Sequence, residues 1–163
     1  MSGAMRRARI LALAVTLGFS ASLMGCRATR SDMPRAVQAN GPPAALLGAF
    51  TDDYGGRYTI TASAWQHGAR NRYEVVAWYP DSQFVIARNA NSNPTAAGLW
   101  TRIDWMLLSE MAPYTWAFCL SAYEAPTRVA AQATRVANRT MPRTGCNGFP
   151  FSRMERVMQR VPE

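Results

Sequence analysis

Lysine is absent from this chain, histidine occurs once and cysteine three times. All 18 basic residues are therefore arginine, against 10 carboxylates, giving a formal net charge of +8 over 163 residues. With alanine abundant as well, the arginine bias is read as genomic base composition rather than as a need for guanidinium chemistry at every site. The only histidine, His67, lies in the turn-like stretch Gln66-His67-Gly68-Ala69, which gives a nucleophilic thiol no evident base. The sequence has no Gly-x-Ser-x-Gly elbow, no His-Glu-x-x-His metal helix and no phosphate-binding glycine loop. A mechanism built on carboxylates alone, from Asp52, Asp53, Asp104 or Glu110, needs no local motif and stays open as a hydrolase alternative. Otherwise no enzymatic activity, cofactor or metal is expected, because Asp52 and Asp53 lack the spacing of a calcium loop. The arginines are scattered, with no dense basic run and no aromatic RNA-binding motif, so nucleic acid is not expected as a partner.

Long apolar runs are also scarce. The longest, from Ile10 to about Met24, covers about 15 residues, short of the ~20 that a spanning helix needs. It follows Arg6, Arg7 and Arg9, the arrangement of a secretory signal. Its end, Leu23-Met24-Gly25-Cys26, resembles the bacterial lipobox: an aliphatic residue, a tolerant position, a small residue and a cysteine. The resemblance implies a lipoprotein signal peptide over residues 1–25, cleavage after Gly25, a diacylglyceryl thioether on Cys26 and fatty acylation, such as palmitate, at the new amino terminus. Several acyl chains at ~0.8 kcal/mol per buried CH₂ make a persistent lipid anchor. Arg27, rather than Asp, follows the cysteine, which implies the outer rather than the inner membrane in a Gram-negative cell envelope. The alternative is an ordinary cleaved signal that leaves Cys26 as a free thiol. Removing three signal arginines from 18 leaves 15 against 10 carboxylates, a net +5. Beyond the membrane reached through the lipid, that charge suits envelope proteins, anionic lipid or polysaccharide.

Residues 26–45, with Asn40-Gly41-Pro42-Pro43, read as a lipidated tether with an r.m.s. span of about 25 Å. Residues 46–163 read as a single globular β-rich domain. At that size it would bury roughly two-thirds of its unfolded surface, enough for one core. With Cys26 lipidated, Cys119 and Cys146 form an even pair, which in an exported protein reads as a disulfide contributing roughly 3–4 kcal/mol. The rival reading keeps one of them as a reactive thiol.

The fold class expected is mainly β (α+β): an antiparallel meander or partial barrel of about six strands with one or two C-terminal helices. The strands are Leu46–Phe50, Arg57–Trp65, Arg72–Tyr79, Phe84–Asn89, Leu99–Leu108 and Tyr114–Tyr123, bounded by turn residues. In the fifth, Thr101, Ile103, Trp105 and Leu107 alternate with Trp100, Arg102, Asp104 and Met106. In the sixth, Trp116, Phe118 and Leu120 share a side opposite Cys119. Both faces of these strands carry apolar groups, so the sheet should be covered on both sides or curled around an interior. After Pro126 the period changes. Thr127 to about Asn138 predicts a helix with Val129, Ala133 and Val136 on its apolar side and Arg128, Arg135 and Arg139 on a solvated one. Ser152-Arg153-Met154-Glu155 matches a capping box and predicts a second helix running to Val161. Asn138-Arg139-Thr140 is a glycosylation sequon read as chance.

Five tryptophans, Trp65, Trp78, Trp100, Trp105 and Trp116, are the one unusual concentration. The plain reading is a core plus a buried ion pair, since Arg102 and Asp104, two apart on a strand, share a face. The sharper reading is a ligand pocket lined by Trp78, Arg88, Trp100, Arg102 and Asp104, in which an arginine fixes a polar or anionic group. The opening Leu47-Gly48-Ala49-Phe50, followed by a meander and a helix, loosely resembles the lipocalin group on its Gly-x-aromatic, which implies a small-ligand-binding barrel and no particular site residue. The expectation is thus a membrane-anchored, non-enzymatic lipoprotein with a structural or interaction role, with a lipocalin-like small-ligand binder as the alternative.

Overall fold

The structure, a computed structural model, describes residues 41–157. Eight antiparallel strands close into an up-and-down barrel in which each strand pairs with its sequence neighbours and the last returns to the first. They are β1 (Gly48–Asp52), β2 (Arg57–Ile60), β3 (Ala64–His67), β4 (Asn71–Tyr79), β5 (Phe84–Asn89), β6 (Trp100–Leu107), β7 (Tyr114–Ala125) and β8 (Ser152–Arg156). A short helix, α1 (Arg128–Ala133), lies between β7 and β8. The fold is therefore mainly β, as the alternating runs require, but with eight strands and one short helix where six strands and up to two helices were expected.

Two local features account for the difference. Arg57–Trp65 is two strands, because Thr61 turns the chain: its N–H donates to the Ala64 carbonyl and its Oγ1 accepts from the Ala64 N–H. The turn resets the side-chain phase, so Ile60 and Trp65 sit opposite one another and point to the same face. A continuous strand would have put them on opposite faces. The second feature is the C-terminal segment expected to be helical. Ser152–Arg156 instead pairs with both β1 and β7. A capping box is a local device worth about 1 kcal/mol. Seating β8 satisfies two otherwise open sheet edges and buries Met154 completely, which outweighs it.

Alternation then builds an inner and an outer layer. Inside, Phe50, Tyr58, Trp65, Trp78, Val85, Ile103, Trp105, Trp116, Phe118 and Met154 form the main core. Trp116 lies edge-on to both Phe50 and Trp65, with ring centroids 5.2 and 5.7 Å away. The outer surface of the early strands is polar, with Arg57 and Thr59 on β2 and Arg72 and Glu74 on β4 all exposed. On these strands an apolar inner side and a polar outer side are the reverse of a lipid-facing barrel wall. Among the described residues no helix is long and apolar enough to cross a membrane.

The outer face of β5–β7 carries apolar groups around the Arg102–Asp104 pair and is covered by the chain between β7 and β8. Ala131 of α1 packs on Tyr79, Phe84 and Ile86, and further along Ala137 and Phe151 pack on Ala117 and Cys119. Thr127 caps α1 by accepting from the Ala130 N–H. The helix ends at Ala133, well before Asn138, and its buried residue is Ala131. Val129 and Val136, expected on the packed side, are exposed.

One end of the barrel is plugged. A 3-10 turn, Ala44–Leu46, precedes β1 and inserts Leu46 into the core with no exposed surface. Arg156 donates to the carbonyls of Leu47 and Ala45 from across the rim. Ala44 and Ala45, expected in the tether, thus belong to the folded unit. At the same end the Trp78 indole N–H donates to Ala62 O at 2.8 Å.

Candidate functional site

The opposite end is where β1, β3, β5 and β7 finish. Here the barrel holds a pocket of 200 Å³, lined chiefly by Tyr58, Trp65, His67, Tyr73, Phe118 and Leu120. Strand register places these rings together: Tyr58 is opposite His67, and Trp65 opposite Tyr73. His67 stacks on Tyr58 at 4.3 Å with planes 12° apart, forming the rim. Phe118 meets Tyr58 and Trp65 edge-on, forming the floor.

Asp52 fixes the rim. Its Oδ2 accepts from the Tyr58 hydroxyl at 2.8 Å, and its Oδ1 accepts from the backbone N–H groups of Tyr54 and Gly56. Burial, and then the hydrogen bond and negative charge of Asp52, hold the Tyr58 phenol far above its ordinary range, so it stays a neutral donor. Burial also raises Tyr73. The pocket therefore presents aromatic faces and phenol hydroxyls, with no arginine in its lining. A cavity of about 150 Å³ walled by apolar groups takes a benzene-sized molecule, and drug-sized ligands need roughly 300 Å³ or more. This mouth suits one compact ring system.

The residues expected to line a pocket fall on two sides of the wall. Trp78 is inside, in the main core. Arg88, Trp100, Arg102 and Asp104 are outside: Arg88 pairs across strands with Trp100, and Trp100 packs beside α1. The five do not share a cavity. Arg102 and Asp104 are brought together as the buried pair that their spacing suggested. Arg102 donates from Nε and Nη2 to the two Asp104 oxygens, both at 3.0 Å, lies over the Phe84 ring at 3.9 Å, and donates from Nη1 to Gln132 O of α1 at 2.8 Å.

Asp104 also takes a bond from the Ser121 hydroxyl, and Arg139 reaches its Oδ1 at 3.2 Å. Arg139 donates further to the carbonyls of Trp105, Ser82 and Gln83. Burial lowers the pKa of its guanidinium, partly offset by the Asp104 charge. Arg139, expected on a solvated helix face, is instead a clamp between the C-terminal chain and the barrel wall. No local sequence signal marks it, because its partners are more than thirty positions away.

Cys119 and Cys146 are disulfide-bonded, with Cα atoms 5.4 Å apart, and so neither is a free thiol. The bond pins the turn at Gly145–Phe149 to β7. Three of the four carboxylates weighed for hydrolysis hold partners: Asp52 with Tyr58, Asp104 with two arginines, and Asp53 with the Arg153 side chain at 2.7 Å. Glu110 sits in the β6–β7 connection. Among the described residues no group of three or more His, Cys, Asp or Glu side chains could hold a metal. No sequence pattern groups the mouth residues Tyr58, His67, Tyr73 and Leu120. Only the pairing of β3 with β2 and β4, and the barrel closure that brings β7 to the same mouth, assembles them.

Cys26, the signal peptide and most of the tether lie outside the described residues. Comparison with protein-family models, with curated proteins and with solved structures finds nothing that matches this chain.

Proposed function

We propose that this chain is a lipid-anchored lipoprotein of the bacterial cell envelope whose barrel has a non-enzymatic, structural or interaction role. The observation that carries the role is the use made of buried polar chemistry. The Arg102–Asp104–Arg139–Ser121 cluster, where charge is most concentrated and most deeply buried, joins the C-terminal chain to the barrel. The anchor rests on the lipobox-like Leu23-Met24-Gly25-Cys26, and Arg27 after it favours the outer membrane in a Gram-negative cell. The polar outer face of β2 and β4 agrees with attachment through a terminal lipid rather than through the barrel wall.

The intact mass of the protein purified from its native membrane tests the anchor. The expected mass lacks residues 1–25 and carries acyl chains, and a Cys26→Ser variant should lack both the acyl mass and stable membrane association. A native protein that is cleaved but not acylated would overturn it.

A second reading, a small-ligand binder of lipocalin-like kind, is favoured by a closed barrel plugged by Leu46 at one end and open to an aromatic pocket at the other. The ligand would be compact, neutral and flat, rather than the anionic group that an arginine-lined pocket would take. Phenol serves as a probe. It should bind the native protein at least about tenfold more tightly than benzoate, and Leu120→Trp, which fills the mouth, should abolish that binding. Absence of phenol binding, or binding that Leu120→Trp leaves intact, would remove the mouth as the site.

A further inference from the structure

Between Glu124 and Glu155 the chain carries no acidic residue and five arginines: Arg128, Arg135, Arg139, Arg143 and Arg153. Two of these are engaged, Arg139 with Asp104 and Arg153 with Asp53. Arg128, Arg135 and Arg143 are exposed and make no ion pair among the described residues. The same stretch exposes large apolar side chains: Val129 at 74%, Phe149 at 71%, Met141 at 55% and Val136 at 50%.

The two kinds of side chain are interleaved in space as well as in sequence. Arg135, Val136, Asn138, Met141, Thr144 and Asn147 surround one recess of 280 Å³. Met141 also lines a neighbouring shallow recess with Arg143. A guanidinium, two amides and a hydroxyl thus sit among aliphatic groups at the surface. The underlying chain is held firmly by the Cys119–Cys146 bond, the Arg139 clamp and Ala131, so these groups are presented on a supported wall.

We infer that the flank formed by residues 126–149 is a docking face for an anionic phospholipid bilayer. The chemistry selects this occupant. Unpaired arginines complement lipid phosphates, and their attraction acts only within about a Debye length of the surface. Val136 and Met141 beside those arginines, with the exposed Val129 and Phe149 of the same stretch, gain by entering the headgroup and acyl boundary. A sulfated or phosphorylated polysaccharide would use the arginines but leave Val129, Met141 and Phe149 in water. Arg135 and its recess would hold a lipid phosphate, with Val136 and Met141 against the glycerol and upper chains. The inference rests on the lipoprotein reading for bringing the barrel to a membrane, and it adds which side faces that membrane.

The test uses the native lipidated protein in nanodiscs of phosphatidylcholine, with and without phosphatidylglycerol, read by backbone hydrogen exchange. Amides within 134–149 should exchange at least about fivefold more slowly when phosphatidylglycerol is present. That protection should vanish in about 1 M salt, where the Debye length falls to about 3 Å. The strands β2–β4 should not change. An Arg135→Gln, Arg143→Gln double variant and a Phe149→Ser variant should each lose the protection while remaining anchored. Equal exchange in the two kinds of disc, or protection that survives both variants, would overturn the docking face and leave the anchor untouched. If the protein proves to carry no lipid, the anchor reading fails separately. Sedimentation with phosphatidylglycerol vesicles then decides the docking face: co-sedimentation dependent on Arg135 and Arg143 supports it, and none overturns it.

Discussion

Arg102 grips Asp104 with two parallel hydrogen bonds of 3.0 Å although both residues lie on the same strand, two positions apart, beneath a helix that supplies a carbonyl to the same guanidinium. Asp104 has no exposed surface and Arg102 only 3%. Removing one partner leaves a buried charge with too little compensation. Asp104→Asn should therefore lower the unfolding free energy by about 3–5 kcal/mol, seen as a fall in the urea midpoint. An Arg102→Met, Asp104→Leu double variant should lose less than the single one. Equal loss from both would mean that the pair is not energetically coupled.

The disulfide and the buried cluster fasten the same segment at different points. Cys119→Ser with Cys146→Ser should cost about 2–5 kcal/mol. Exchange protection should be lost first between Pro126 and Phe151, before the barrel strands open. Uniform loss across β1–β8 would show that the segment is an inseparable part of the barrel.

Gly145 marks a close approach of two backbones. An added Cβ would overlap the Asn138 carbonyl, whose own N–H donates to Gly145 O. Backbone cannot move aside as a flexible side chain can, so Gly145→Ala should destabilise the turn by about 1–3 kcal/mol. Gly148→Ala, where an added Cβ meets nothing within 4 Å, adds no such overlap and carries only the strain of its φ of 91°. Thermal unfolding of the two variants makes the comparison, and a milder effect at Gly145 would contradict it.

The Tyr58 phenol gives a pH dependence of definite sign. Its pKa is raised in the folded protein above the ordinary value of 10.0, chiefly by burial and next by Asp52. Above about pH 10 the unfolded chain loses this proton while the folded one keeps it. The contribution is thus complete below pH 10 and is lost as the pH rises beyond it. Tyr73 acts in the same direction. The urea midpoint should fall between about pH 9 and pH 11, and Tyr58→Phe should flatten that fall, because each tenfold weakening of the phenol as an acid is worth about 1.4 kcal/mol. An unchanged slope in Tyr58→Phe would assign the alkaline loss to other groups.

Leu46 tests whether the folded unit begins before the first strand. It is fully buried in the main core, so Leu46→Ala should cost about 2–5 kcal/mol by urea titration. A cost below about 1 kcal/mol would return Ala44–Leu46 to the tether.

Period-two alternation grouped Ile103 with Trp105 and Trp116 with Phe118 on one side of their strands, and barrel closure made that side the inner one. The same rule placed Arg102 beside Asp104, and the even cysteine pair pointed to the disulfide. These features were legible because each depends on neighbours one or two positions apart or on counting. Sequence alone could not decide β8, where a capping box lost to two open sheet edges, or the split at Thr61, where a small turn reverses the phase. Nor could it gather Tyr58, His67, Tyr73 and Leu120 at one mouth, or carry Arg139 to a carboxylate thirty-five residues away. Those outcomes follow from closure of the barrel. Once β8 pairs with β1 and β7, the backbone hydrogen bonds of all eight strands and a single packed interior fix every register together, and no local segment contains that constraint.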